Sequence, residues 1–437
     1  MENGETKSRF GLKTKISLAL ISSLLTLLVL GAIGEAMVRV RETRRDTPPG
    51  TMPLVFYRHN RLIHALVRNY DYFGWVHINE GGFRGASLAE FSADEGALRI
   101  MAVGGSTTFD SQVTGDDRAW PARLEHWLGK DPSLPRVHVV NAGTPGYRVV
   151  DNSIRFLTEL GQYCPDVIIL YHTHNDLIKA FRTADPPARG RPLSAAATPN
   201  EIQPLAPWSY WLRRHSLLYA KLLARIKVMQ RQATRGKRAA ASTDGARSAE
   251  EFWGERIERG AGQFESDLRA FLALAQTAGV VVIVPEVTIM GLIASDSASV
   301  EARVVSNFFS VPAEMVWEGY RSYAAVAQRE AERFGAIFIT SDSFGLDSAG
   351  SYAELDAIHF NDVGSDRFGA RLAAAIGDTL VSLTKSGPDA ESFRRATGSD
   401  LNVGPEDFEE SSQNRIGFRE SDNGQRPSLT ARSVCGA

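Results

Sequence analysis

Four short runs in this 437-residue chain carry the side-chain types that nucleophilic chemistry requires. The first is Gly104-Gly105-Ser106-Thr107-Thr108, where a serine follows an apolar run and precedes helical sequence. A serine so placed can point its hydroxyl into a cleft while its own backbone N–H lies at a helix N-terminus, where negative charge is favoured. The turn reads equally as a phosphate-binding turn or a plain N-cap, and it lacks the G-x-S-x-G spacing of a nucleophile elbow. The second run, Asn141-Ala142-Gly143-Thr144-Pro145-Gly146, makes a tight turn that can aim a bare N–H at the same cleft. The third, His172-Thr173-His174-Asn175-Asp176, delivers a side-chain amide, although Asn and Asp are also good helix caps. The fourth is Asp356-Ala357-Ile358-His359. An acid and an imidazole three residues apart on a turn can pair, so that the carboxylate orients the ring and the ring deprotonates a serine. The set supplies a nucleophile, a base, an orienting acid and three N–H donors for an oxyanion.

His172 and His174 admit a rival reading. If they continue a strand they share one face, and with Asp176 nearby they suggest a metal site. Such a site needs a further ligand at suitable geometry. Contact with substrate, or a packed or capping role, fits the pair better.

The first three runs sit where apolar segments end, and the fourth precedes the last helical stretch. Strands are expected over Leu98–Val103, Val137–Asn141, Val167–Tyr171, Val280–Pro285 and Ala336–Thr340. The second to fourth are nearly continuous apolar runs, as in strands buried on both faces. Helices are expected over Trp120–Leu128, Asn152–Leu160, Phe252–Ala278, Ala313–Phe334 and from Val363 to Thr384. This alternation predicts an α/β domain, a parallel sheet with helices on both faces. In such sheets the active site lies beyond the carboxyl ends of the strands. Tyr72–Gly85 predicts a hairpin or loop on the domain edge, and Leu177–Glu251 a long insertion after the third strand. An insertion of that length exceeds an ordinary connection. It reads as a lid or substrate-binding cap, or else as a peripheral helix lying against a membrane.

In combination and order, the four runs resemble the SGNH/GDSL hydrolase family, named for Ser, Gly, Asn and His in four sequence blocks. The resemblance covers about Leu98 to Thr384, less the insertion. It implies a three-layer αβα fold with a central, mostly parallel five-stranded sheet of flavodoxin-like type. It also implies Ser106 as nucleophile, His359 as general base and Asp356 as its partner. Ser106, Gly146 and Asn175 are implied as oxyanion-hole donors. Neither metal nor cofactor is needed. Asn79–Gly85 (N-x-x-G-F-R-G) resembles a run upstream of the first block in membrane-anchored bacterial members. Two departures stand out: Gly105 where the family name has Asp, and Thr173 where the third block has glycine. The activity implied is hydrolysis of O-acyl esters, small acyl groups on envelope carbohydrate or lipid. The same residues serve an O-acyltransferase acting on an exopolysaccharide, and the scaffold can also host a non-catalytic binding protein.

The flanks are unlike the middle. Ile16–Gly34 is nineteen residues without a charge, enough to cross a hydrocarbon core of about 30 Å. Lys7, Arg9, Lys13 and Lys15 precede it and Arg39, Arg41, Arg44 and Arg45 follow, so the positive-inside rule assigns no orientation. The run is longer than a signal-peptide core and no A-x-A site closes it. The organisation expected is a basic N-terminus over 1–15, a retained single-pass transmembrane anchor over 16–38 and a membrane-proximal segment over 39–97. A catalytic domain over 98–385 carries the insertion 177–251, and a disordered tail covers 386–437. An export-like anchor with envelope-type chemistry places the protein in the inner membrane, the catalytic domain outside. Within the insertion, Arg231–Ala249 is small, basic and aperiodic, as expected of a mobile loop. Lys and Arg number 49 against 51 Asp and Glu, a balance that argues against a nucleic-acid partner. Cys164 and Cys435 are the only cysteines, which excludes a disulfide-rich scaffold and a four-cysteine zinc site.

Overall fold

The computed structural model describes residues 12–45, 56–182, 207–229 and 248–385, less short stretches within the last three spans. The first eleven residues, the tail 386–437 and all but the last two residues of Arg231–Ala249 lie outside the described residues. Helix α1 (Leu12–Thr43) is rich in Leu and Ala, strong helix formers. Its portion Thr14–Thr43 is long and apolar enough to cross a membrane, by length and composition.

After α1, β1 (Phe56–Tyr57) pairs antiparallel with β2 (Ala65–Leu66), and β3 (Tyr70–Tyr72) with β4 (Val76–Ile78). The second pair is the hairpin expected near Tyr72. The alternation follows: β5 (Leu98–Gly104), α2 (Ser106–Phe109), α3 (Trp120–Leu128), β6 (Val137–Asn141), α4 (Val149–Thr158), β7 (Val167–Tyr171) and α5 (His174–Arg182). Then come α6 (Pro207–His215), α7 (Ala249–Thr277), β8 (Val281–Pro285), α8 (Ala298–Asn307), α9 (Ala313–Arg333), β9 (Ile337–Ile339) and α10 (Asp362–Lys385). Because α5 runs on to Arg182 and α7 starts at Ala249, the insertion is shorter than Leu177–Glu251. Leu177 is a buried core residue of α5, its apolar side chain lying against Gly319 of α9 rather than belonging to the excursion.

The main sheet has the order β6-β5-β7-β8-β9 with every pair parallel. Counted in chain order this is 2-1-3-4-5, the flavodoxin-like arrangement, whose switch point falls between the first and third strands. Those strands are β5 and β7, registered Gly104 opposite Tyr171. Every residue of β7 is buried, as expected of a central strand. Helix α3 packs against α10, with Trp120 edge-on to Phe368 at 5.2 Å. Helix α7 packs against α4, α5 and α9, through residues such as Phe264, Leu268, Phe271, Tyr320 and Tyr323.

By contacts, the described residues divide into two compact units. One lies within Met1–Val55 and Gln203–Thr243, the other within Phe56–Ile202 and Asp244–Ala437. The second unit thus starts at Phe56, and Arg84 bridges antiparallel to Asn141 of β6.

Candidate active site

Strand β5 delivers the first run to the switch point. Gly105 stands before α2, and its carbonyl accepts the Phe109 N–H at 3.0 Å while that of Ser106 accepts the Asp110 N–H at 2.8 Å. Ser106 is therefore the first helical residue, and its N–H has no intrahelical acceptor. Its Oγ lies 2.9 Å from His359 Nε2. On the other side of the ring, Nδ1 is 2.8 Å from Asp356 Oδ2. The second carboxylate oxygen accepts the backbone N–H groups of Ile358 and His359 at 2.8 and 3.1 Å. The turn carrying both residues is fixed by the Met290 N–H donating to the Ala357 carbonyl.

This pairing sets the charges. Burial alone would raise the Asp356 carboxyl, but the charge of His359 and the three N–H donors bring it down to about 2. Burial likewise pulls the His359 ring down, and the charge of Asp356, its hydrogen bond and the more distant Asp110 outweigh it, so the ring ends above its ordinary value. Asp110 is fully buried and pushed up to about 7 by that burial. It accepts hydrogen bonds from the Trp120 N–H and the Ser365 hydroxyl.

Asn175 lies in the first turn of α5. Its amide caps nothing there and instead donates to the Tyr147 carbonyl at 2.8 Å. The same nitrogen lies against Gly105, where an added Cβ would come within 2.6 Å of it. A side chain at position 105 would have to displace the end of the Asn175 side chain and crowd the Tyr147 carbonyl. Gly146, one residue before Tyr147, has φ +88°, a conformation that favours glycine. The structure thus joins Ser106, His359 and Asp356 by direct hydrogen bonds. It sets Asn175 beside Gly105, and Gly146 on the turn that holds Asn175.

The two histidines of the third run do not share a face, because helix α5 begins between them at His174. His172 Nε2 meets the Asn152 amide at 2.6 Å, and its Nδ1 faces Asp176 at 3.7 Å. His174 Nδ1 meets the Tyr320 hydroxyl at 2.7 Å. Burial holds each ring down to about 3, so both are uncharged at neutral pH. Among the described residues no three His, Cys, Asp or Glu side chains group as metal ligands. Thr173 is buried and hydrogen-bonds the His172 carbonyl, leaving Asn175 in reach of Tyr147.

The GDSL-like lipase/acylhydrolase family model matches residues 102–367, a span that holds all five expected site residues. The chain belongs to that family. It is accordingly an ester-hydrolysing enzyme. No curated relative matches it. Among solved structures, the acetyl xylan esterase AlAXEase is similar at 13% identity over 63% of this chain and 98% of its own, TM-score 0.36. The lipase/acylhydrolase from Enterococcus faecalis is similar at 14% identity over 64% and 97%, TM-score 0.35. A catalytic mutant of the acetylxylan esterase Axe2 from Geobacillus stearothermophilus is similar at 12% identity over 65% and 94%, TM-score 0.35.

Three residues of this GDSL-family enzyme brace the site without having been singled out by type. Arg84, 3% exposed, donates from Nη1 to the carbonyls of Phe109 and Asp110 at 2.8 and 2.6 Å, the end of the helix that starts at Ser106. Its remaining nitrogens reach Trp75 O, Gly115 O and Asp116 Oδ1. Arg155 ties down the second run through Ala142 O and the Thr144 hydroxyl at 2.6 and 2.9 Å. His64 Nε2 donates to Pro145 O at 2.9 Å, beside Gly146. Only Arg84 had a sequence signal, as the arginine of N-x-x-G-F-R-G. Arg84→Ala strands these carbonyls and the Asp116 carboxylate, so a loss of about 3–5 kcal/mol is expected, read as a lower urea midpoint. Arg84→Lys should recover only part of it, since one ammonium cannot fill a five-donor fork. An unchanged midpoint in Arg84→Ala would contradict this role.

Proposed function

We propose that this chain is a membrane-anchored serine esterase removing small acyl groups, such as acetyl, from envelope carbohydrate or lipid. The observation that carries the reading is the hydrogen-bond line from Ser106 Oγ through His359 to Asp356. With Asp356 ionised, the Nδ1–H donates to it and Nε2 keeps a lone pair facing the serine. Ser106 Oγ attacks the ester carbonyl and its proton passes to Nε2. The tetrahedral oxyanion is held by the Ser106 N–H, the Gly146 N–H and the Asn175 amide, each such donor being worth about 3–4 kcal/mol to the transition state. Collapse expels the alcohol with the proton from His359, leaving a Ser106 ester. Water then attacks that ester, giving its proton to His359, and as the acyl–Oγ bond breaks His359 returns that proton to Ser106 Oγ and the acid departs.

The length and apolar composition of helix α1 support the anchor; the extracytoplasmic placement of the site rests on the envelope substrates proposed. The test uses the full chain in detergent with p-nitrophenyl acetate and with an acetylated glycan. Free acetate is the product expected; acetyl appearing on an added glycan instead favours the transferase. Neither product, with no labelling by a fluorophosphonate, would leave a binding protein and overturn the proposal. A reporter fused after Thr384 that is active only in the cytoplasm would overturn the orientation.

A further inference from the structure

The described part of the insertion, 207–229, clusters with α1, and its attachment is specific. Glu35, the first charge after the apolar run, accepts the Ser216 hydroxyl at 2.9 Å and the N–H groups of Leu217 and Leu218 at 3.0 and 2.9 Å. Its carboxylate therefore caps the helical stretch 217–223, where an anion is favoured by charge and by free N–H groups. Arg39 donates to the His215 carbonyl at 3.1 Å, and Lys221 pairs with the buried Glu42. Leu218 packs against Gly34, the last residue of the apolar run. Within the insertion, the Ser209 hydroxyl bonds that of Tyr219 at 2.8 Å, so α6 and the following stretch form one folded hairpin.

These bonds fix the hairpin to residues 34–42, the two turns just beyond the uncharged run. If that run spans a bilayer, the hairpin's attachment begins at headgroup depth, a layer about 5–8 Å thick on each side, and two turns carry it about 11 Å outward, just past the layer's aqueous edge. The hairpin leaves large apolar side chains uncovered there. Trp208 and Trp211, three apart on α6, are 63% and 59% exposed, and Leu222 and Met229 are 54% and 56% exposed. Tryptophan is the residue whose amphipathic ring favours the membrane interface.

We infer that the 207–229 hairpin is a lipid-binding surface, seated in the headgroup layer with Trp208 and Trp211 facing the bilayer. This rests on the anchor reading above. Continuity with the apolar run names lipid as the occupant, because a hairpin whose second arm is tied to Gly34 and Glu35 stays at the surface that the run enters. The face adds an in-plane contact to the crossing helix, and so restricts how the anchor rotates and tilts.

The test places the full chain in nanodiscs of phosphatidylcholine and phosphatidylglycerol, with lipid brominated near the headgroup to quench nearby tryptophan. The wild type is expected to be quenched, and Trp208→Phe/Trp211→Phe to lose most of that quench, leaving the other five tryptophans bright. Glu35→Gln should reduce it as well, by loosening the cap. A chain that does not co-elute with the discs overturns the anchor reading and this inference with it. A chain that co-elutes but keeps the same quench in the double variant overturns this inference alone. The same holds if bromine leaves the wild type unquenched, as when a second protein segment covers the face.

Discussion

Replacing Ser106 by alanine is expected to lower kcat on acyl esters by about a million-fold and to abolish labelling by a fluorophosphonate. His359 Nε2 has the serine Oγ as its partner at 2.9 Å, and alanine leaves no nucleophile within reach of the base. The proposed oxyanion donors do not depend on the hydroxyl: Asn175 is held by Tyr147 O, and the Ser106 N–H remains. Residual catalysis of about a thousand-fold over water should therefore survive. Folding should be unaffected, since the side chain is only half-buried and the ring nitrogen it leaves can bind water. Unchanged circular dichroism with lost turnover is the expected pair of results. Labelling that persists in Ser106→Ala would refute the assignment.

Asp356→Asn has the next largest expected effect, a fall of about ten-thousand-fold in kcat. An asparagine amide facing Nδ1 favours the tautomer that carries its proton on Nε2, and that nitrogen can no longer accept from Ser106. The pH profile separates this from a simple loss of packing. Activity requires uncharged His359, so in the wild type it rises as pH climbs through the ring's pKa, which Asp356 holds above the ordinary value. Removing the carboxylate's charge lets burial dominate and lowers that pKa. The acidic limb of kcat/KM should therefore shift to lower pH while the plateau drops. A limb that moves upward, or a loss below tenfold, would exclude Asp356 as the orienting acid.

Most of the frame is readable from apolar runs, because strands such as Val167–Tyr171 are buried on both faces and admit no polar residue. The ends of the sheet are readable too, since the first three runs fall where those segments stop and the fourth precedes the last helix. What binds the runs together is not. Arg84, Arg155 and His64 act on backbone carbonyls 9 to 81 positions away, and every residue offers a carbonyl, so side-chain type alone does not reveal the pairing. The divergence of His172 and His174 escapes for a related reason. Period two holds only while a strand lasts, and β7 ends at Tyr171. The insertion limits moved because α5 and α7 continue on amphipathic sequence that also suits a surface excursion.

The contact between Gly105 and the Asn175 amide also bears on heredity. Two positions seventy residues apart share one small volume, so neither can change freely while the other stays. Restoring the family's Asp at position 105 would press its Cβ against the end of the Asn175 side chain, which would have to swing aside and give up its bond to the Tyr147 carbonyl. A change at either position is therefore felt at the other, so the two are best altered and measured as a pair.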